Sequence, residues 1–548
     1  MMVAITTPSG DGSDLAPDGL FRERVPHIIT IACGIRTMRF LLSGLVSGMI
    51  CLGMLSPASA GERFLQVVSP RDITSLEPND TGYHFRRLRV AETLVTIDPS
   101  GKLEGQLATS WQVESDNLTW RFALRQGVRF HDGSLATPEV ILNQIKRAYA
   151  TSEVFSTAPV GTISLDGNTL VLKLTRPCSL LPAFLTDATT IILAPSSFGA
   201  DGKVRRIVGT GPYEIVGGDG KSSLDLQAFH DYWGPKPAIG RVHYLGVRVA
   251  DTMANMAEAG QADLVFMMPR AMKDRVESSG RATVTEVQTP RVLGFFLNVA
   301  DYRFNDLRVR RAISLALDRQ GTATAVFRNP MAAANQLISP AFPAWHDSDL
   351  PVSRQDVPGA RALLAQAGWR RGHDGILVKD GKRFSFTVIV GPAPELAPFA
   401  QTVQAALREV GIEMTLEAGP LSAVLDSVKS GTFVAGLTRR TYGMVPDPVG
   451  TLLADYAPDK ANNDIWGGVG FKNAMLSSAF AAYLEATDEH ELADARKKIN
   501  RIVNDQLPII PVVWYDYGVS ISTKIDPRSV VVDPFEFSFW LDKIRWAP

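Results

Sequence analysis

The spacing of apolar positions changes period part-way through residues 292–319. Residues 292–299 (VLGFFLNV) form an apolar run of strand length. Beyond a polar turn, Val309, Ala312, Ile313, Ala316 and Leu317 recur at i, i+3, i+4, i+7 and i+8, one face of a helix that Asn305 or Asp306 can cap. The same switching runs along most of the chain. Trp120, Phe122 and Leu124 alternate with Arg121, Ala123 and Arg125, which predicts a half-buried strand. After the His131-Asp132-Gly133 turn, Thr137 caps a helix that begins at Pro138 and carries Ile141, Ile145, Ala148 and Tyr149 on one face. Further strands are predicted at 64–68, 169–174, 223–229, 241–249, 384–390, 412–416, 433–437 and 507–515. Helices are predicted at 84–94, 252–258, 358–367, 398–410, 421–428 and from the Asp488 capping box to about 505. Alternation of this kind over 548 residues predicts an α/β protein of at least two domains, too long for one core.

The N-terminus stands apart from this pattern. Residues 1–37 are polar and patternless. Met38-Arg39 then opens a positive segment, residues 40–56 are apolar, and Ala58-Ser59-Ala60 supplies a small-residue site. This is the anatomy of a secretory signal peptide over 38–60, with cleavage expected after Ala60, export to the periplasm and Met38 as the true start. Of the three cysteines, Cys33 and Cys51 precede that site, so the exported chain keeps only Cys178 and can form neither an internal disulfide nor a cysteine metal site. The residue before Cys51 is not small, which speaks against lipidation. A formal net charge of −1 gives no electrostatic reason to expect nucleic acid.

The chemistry-bearing motifs are mostly missing. There is no G-x-S-x-G elbow, no H-E-x-x-H, no calcium loop and no Walker loop, and no two of the eight histidines stand at helical ligand spacing. VGTGPYEIV (208–216) has two glycines, but Pro212 and strand-forming residues follow where a phosphate loop needs a helix, so it reads as a turn entering a strand. His131 reads as a turn residue. These observations predict no enzyme, no cofactor and no metal. A secreted α/β hydrolase, or a sensor or chaperone module, remains the rival reading.

Six stretches in order carry a resemblance. LTWRFALRQGVRFHDGSLATPEV (118–140), VGTGPYEI (208–215), LNVADYRFNDLRVRRAISLALDR (297–319), ARALLAQAGW (360–369), Pro446-Asp447-Pro448 and DQLPIIPVVWY (505–515) resemble the extracytoplasmic solute-binding proteins of peptide-type ABC importers, the oligopeptide-, dipeptide- and nickel-binding group. The resemblance implies a large type II periplasmic binding protein fold. Residues 61–105, 196–291 and 511–548 would form the first lobe, 106–195 an inserted subdomain and 292–510 the second lobe. It implies a monomer that closes on a peptide or a peptide-sized polar solute and delivers it to membrane permease subunits served by their own ATPases. The strands at 292–299 and 509–515 would be the crossings between lobes, with Phe295, Phe296 and Trp514 packing there.

In peptide-binding relatives an acidic residue just before the Asp-Pro receives the peptide amino group. Here Thr441 to Pro446 hold no carboxylate, while Arg439 and Arg440 precede them and would favour an acidic group, an opine-like or sugar-acid solute for example. The candidate solute residues are Arg439, Arg440, Tyr442 and Asp447 from this loop, Trp466 from NNDIWGGVG, and Tyr83 and His84 from the first lobe. Two neighbouring arginines on a strand end can equally be solvated, Tyr442 can equally pack in a core, and Asp447 can cap the helix beyond Pro448. The arginines 308, 310 and 311 stand near a helix N-terminus, where the macrodipole disfavours them, so an acidic partner is expected for at least one.

Overall fold

The computed structural model describes residues 63–548 apart from 352, 394, 457–464 and 487. The signal peptide, its cleavage after Ala60, Met38, Cys33 and Cys51 lie outside the described residues.

Two long strands organise the structure, β10 (Ala282–Leu297) and β14 (Ile509–Ser522), paired antiparallel at the centre of a ten-stranded sheet. The other eight are β1 (Phe64–Ser69), β6 (Tyr213–Gly217), β7 (Ser223–Ala228), β8 (Arg241–Gly246), β9 (Leu264–Met268), β11 (Ser385–Val390), β12 (Glu413–Ala418) and β13 (Ala435–Thr441). Their order is β12-β11-β13-β10-β14-β9-β1-β8-β7-β6. The first half of β10 (282–288) pairs with 516–522 of β14, beside β9 and β1. Its second half (291–297) pairs with β13 on one side and with 509–514 of β14 on the other. Each long strand therefore begins in one half of the sheet and ends in the other.

Both crossing strands are longer than their apolar runs suggested, because the pattern is interrupted where the chain changes halves. Pro290 has no N–H to give to a ladder, and the register with β14 skips between Gln288 and Val292. Pro511 stands beside the second irregularity, opposite Gly294. The gap is tied by other bonds: Thr289 donates its hydroxyl to the Tyr515 carbonyl, the Ser339 hydroxyl donates to Thr289 O at 2.7 Å, and Tyr442 N donates to Pro290 O at 2.7 Å.

A separate antiparallel sheet of β2 (Ala108–Val113), β3 (Thr119–Leu124), β4 (Val160–Asp166) and β5 (Thr169–Leu174), in the order β2-β3-β5-β4, is covered by helix α2 (Pro138–Thr151). The alternation read at 120–124 holds, with Trp120, Phe122 and Leu124 buried. This core runs on into helices from the other side of the molecule, α5 (Pro448–Tyr456) and α6 (Ala474–Glu485). The packing there is tight: a Cβ on Gly450 would sit 2.4 Å from Val445 and 3.4 Å from Val154.

Local chemistry sets most helix ends. Thr137 caps α2, and Asp488 caps α7 (Glu489–Gln506) by accepting from Glu491 N at 2.9 Å. Asp306, not Asn305, caps α3 (Leu307–Ala316), and a second helix, α4 (Arg319–Phe327), starts behind Asp318. The helix expected at 84–94 is α1 (Pro78–Arg87) instead. Pro78 marks its first turn, where a missing N–H costs nothing. Of the three clustered arginines, Arg308 pairs with Asp306 at 2.6 Å, whereas buried Arg310 donates to Gln506 O at 2.9 Å at the carbonyl-rich end of α7.

Candidate functional site

Two adjoining cavities of about 310 and 360 Å³ open where β10 and β14 cross, and Arg71 and Tyr83 line both. The first has Arg71 and Asp72 from the loop after β1, with Met253 and Met267, on one side. Pro392, Glu395, Arg439 and Tyr515 face them. The second is walled by α1 (Asn79, Tyr83, Arg86, Arg87), by Ser152–Val154 and Asp187–Thr189 of the segment around the small sheet, and by Arg291, Thr441, Gly443 and Glu536. Segments remote in sequence thus converge on one hollow. A larger cavity, about 940 Å³, lies mostly within the 318–355 segment, with Gln288 and Trp514 at its edge.

Glu536 is the electrostatic centre. Its Oε2 accepts from Arg87 Nη2 at 3.1 Å and pairs with Arg291 Nη2, while Arg87 Nε donates to its backbone carbonyl at 2.5 Å. Burial raises the Glu536 pKa, but Arg291, Arg87, Arg71 and Arg439 together outweigh it, so the carboxyl lies below its ordinary value and is ionised. Glu536 has φ +58, a conformation that side chains adopt rarely. The loop that holds it there is built on Asp533, whose carboxylate accepts from Phe535 N at 2.8 Å, Phe537 N at 2.7 Å and Ser538 N at 3.2 Å.

The arginines differ in how fully they are paired. Arg439 pairs with Glu395, and Arg248 with Asp72 at 2.7 Å. Arg86 donates to Thr186 O and lies 4.0 Å from the Phe537 ring; burial lowers its pKa to about 10, as it does for Arg291. Arg71 has no ion pair among the described residues. Its Nε donates to Met267 Sδ at 3.3 Å, and Tyr83 stands 5.3 Å away. Burial works against the Arg71 charge, and Tyr83 and Glu536 outweigh it. Met267 itself has φ +59 at an irregularity in β9. Besides Oγ1 of half-buried Thr189, three polar atoms of this hollow have no hydrogen-bond partner among the described residues: Arg86 Nε, Arg291 Nη1 and Glu536 Oε1. Their residues are 9%, 4% and 6% exposed.

Of the seven residues singled out by sequence, Tyr83 and Arg439 stand in the cavity walls. His84 is buried next to them, its ring 4.3 Å from that of Tyr83, and lines neither cavity; burial first, then Arg87 and Arg71, depress its pKa to about 3. The 439–447 segment divides by strand alternation. Arg439, Thr441 and Gly443 face the hollow, whereas Arg440 and Tyr442 point to the opposite side. Arg440 is 4% exposed, paired with Asp455 and, at 3.3 Å, with Glu153, and lies 4.7 Å over Trp466. Trp466 packs edge-on against Phe296 at 5.6 Å. Tyr442 is fully buried in the second core. Asp447 caps α5 through Val449 N at 2.8 Å and accepts the Tyr483 hydroxyl at 2.7 Å. The period of two, which cannot put neighbouring residues on one face, sends Arg440 and Tyr442 away from the two cavities; Asp447 takes the capping role open to it, and Trp466, outside this segment, packs against Phe296 instead of lining either cavity.

Sequence reasoning missed Arg71, Arg86, Arg87, Arg291 and Glu536. The only local signal was an acidic residue between aromatics behind an Asp-Pro turn (DPFEF, 533–537).

A model of the bacterial extracellular solute-binding proteins, family 5 Middle, matches residues 102–463. Among curated proteins the chain is 23% identical over 494 residues to the glutathione-binding protein GsiB of Escherichia coli O1:K1 / APEC, covering 86% of this chain and 93% of that one. Among solved structures it is similar to the oligopeptide-binding protein AppA of Bacillus subtilis in complex with a nonapeptide (TM-score 0.78, 20% identity, 89% of this chain and 99% of that one). It is also similar to AgaA from A. tumefaciens R10 in complex with agropinic acid (TM-score 0.77, 19% identity, 89% and 99%). The fold is that of the large type II periplasmic binding proteins. The chain belongs to the bacterial extracellular solute-binding proteins of family 5, the components of ABC importers that capture a solute and present it to the membrane permease.

Proposed function

We propose that the two cavities sharing Arg71 and Tyr83 are the solute site, closed between a first lobe (61–105, 196–291, 511–548), an inserted subdomain (106–195) and a second lobe (292–510). The observation that carries this is the meeting of Arg71, Tyr83 and Glu536 with Glu395, Arg439 and Thr441 on opposite walls of one hollow. A solute there touches both sides only when they are together, so its binding energy favours closure about the β10–β14 crossing. The Arg440–Glu153 pair at 3.3 Å spans the second lobe and the inserted subdomain and adds to the closed state.

The volumes suit a short peptide or a polar solute of comparable size. The excess of arginine in the walls supports a solute with an acidic group; among the similar proteins GsiB is named as glutathione-binding and AgaA is described in complex with agropinic acid. The chain acts as a monomer without catalysis, exported and cleaved after Ala60 to work in the periplasm.

Thermal-shift screening of the exported chain against peptides and organic acids tests the site. A solute that raises the melting temperature of the wild type should lose its effect in Arg71→Ala and Tyr83→Ala. Full retention in both variants would remove the cavities from consideration, and steady turnover of any ester, peptide or glycoside would restore the hydrolase reading.

A further inference from the structure

The two sides of the Arg291–Glu536 pair are used unequally. Arg291 Nη2 meets Glu536 Oε2, and Arg87 Nη2 shares that oxygen at 3.1 Å. The other ends, Arg291 Nη1 and Glu536 Oε1, have no hydrogen-bond partner among the described residues, although both residues are buried and both line the 360 Å³ cavity. A buried polar atom without a partner is costly, and a spare donor and a spare acceptor in one cavity wall can be met by one group that carries both an acceptor and a donor. A group that holds its acceptor and donor close together suits spare atoms on two residues joined in one ion pair.

Charge decides which acceptor. Glu536 already carries two guanidiniums, and Arg86 adds an unpartnered Nε in the same wall. Arg71, at the passage between the cavities, lacks a carboxylate among the described residues. A lone ammonium would meet this surplus of arginine. A bare carboxylate would satisfy Arg291 and Arg86 but would set an oxyanion against Glu536 Oε1. A carboxylate with an N–H or O–H on the adjoining carbon meets all three atoms.

We infer that the solute head is an α-amino- or α-hydroxy-carboxylate seated on the spare valences of the Arg291–Glu536 pair, its carboxylate toward Arg291 and Arg86 and its donor on Glu536 Oε1. This deepens, and rests on, the assignment of the two cavities as the solute site. The rest of the solute passes the Tyr83 ring into the 310 Å³ cavity, where Met253 and Met267 supply apolar wall and Arg71 accepts a second acidic group.

Three probes of one skeleton test the head: glutarate, glutamate and 2-hydroxyglutarate, titrated into the full exported chain freed of carried solute. Glutamate and 2-hydroxyglutarate should each bind at least about tenfold more tightly than glutarate, the worth of one hydrogen bond to a charged group. Glu536→Gln should abolish that ratio, while Arg71→Gln should weaken all three probes alike and preserve it. If Glu536→Gln does not fold, the comparison among probes on the wild type still decides. Equal affinity of the three, with all of them weakened by Arg71→Gln, would overturn the head-group assignment and leave the cavities as the site. Absence of binding by all three, or binding indifferent to Arg71→Gln, would overturn the head-group assignment together with the site it rests on.

Discussion

The two faces of β13 and its continuation carry different duties. Arg439, Thr441 and Gly443 look into the hollow, with Arg439 reaching Glu395 and lying 5.5 Å from the Tyr515 ring. Arg440 and Tyr442, one residue out of phase, are locked into a second core shared with the small sheet and α5. Two adjacent arginines of the same chemistry thus line the candidate site on one face and serve cohesion on the other. Residue type alone cannot tell them apart; the phase of the strand does.

Variants at these positions can break that division, and the largest effect belongs to the buried face. Arg440→Ala leaves Asp455, whose side chain is fully buried, without its guanidinium. Removing one partner of a buried pair costs about 3–5 kcal/mol, read as a fall in the midpoint of urea unfolding. A change below about 1 kcal/mol would mean that Arg440 is not part of the core. Tyr442→Ala should cost a similar amount, about 3–5 kcal/mol. Tyr442→Phe should be neutral or slightly stabilising, since the buried hydroxyl has no partner among the described residues to lose.

The open face should behave the other way round. Arg439→Ala removes a partly exposed pair and should change stability by less than about 1 kcal/mol, while weakening solute binding measurably in calorimetry. If Arg439→Ala unfolds the protein and Arg440→Ala spares it, the assignment of faces is reversed.

The effect that is smallest at neutral pH, and grows only as the medium turns acid, is the titration of His84. His84 is held neutral in the folded chain, with a pKa near 3 against 6.5 when unfolded. Between those values the unfolded chain binds the extra proton, so this residue's contribution to stability is intact above about pH 6.5 and declines as pH falls towards 3. The slope is at most about 1.4 kcal/mol per pH unit. In His84→Gln the acid-side decline of the melting temperature should be shallower; an unchanged slope would show that His84 does not titrate in this way.

What could be read from the sequence follows the range of the forces involved. Caps at Thr137, Asp306 and Asp488 act over three residues and were visible as such. The alternation at 120–124 reports burial directly; the apolar runs at 292–299 and 507–515 showed the cores of β10 and β14 as strands, and only the family resemblance made them crossings. Their full lengths were hidden, because Pro290 and Pro511 interrupt the pattern where the chain changes halves and the ladder slips. The candidate site was only half visible. Tyr83 and Arg439, singled out by sequence, stand in its walls, but Glu536 meets Arg291 across 245 residues and Arg87 across 449, and no local pattern announces such a meeting. His84, Arg440, Tyr442, Asp447 and Trp466 were chosen for their chemistry, which the structure uses for packing, ion pairing and capping.

The most direct test of the central claim is a crystal structure of the exported chain with the solute it carries through gentle purification. The account predicts the solute between Arg71 and Tyr83 on one side and Arg439 and Thr441 on the other, with a carboxylate at Arg291 and a donor on Glu536. A solute found instead in the 940 Å³ cavity beside Trp514 and His346, with the hollow at the crossing filled by water, would contradict it.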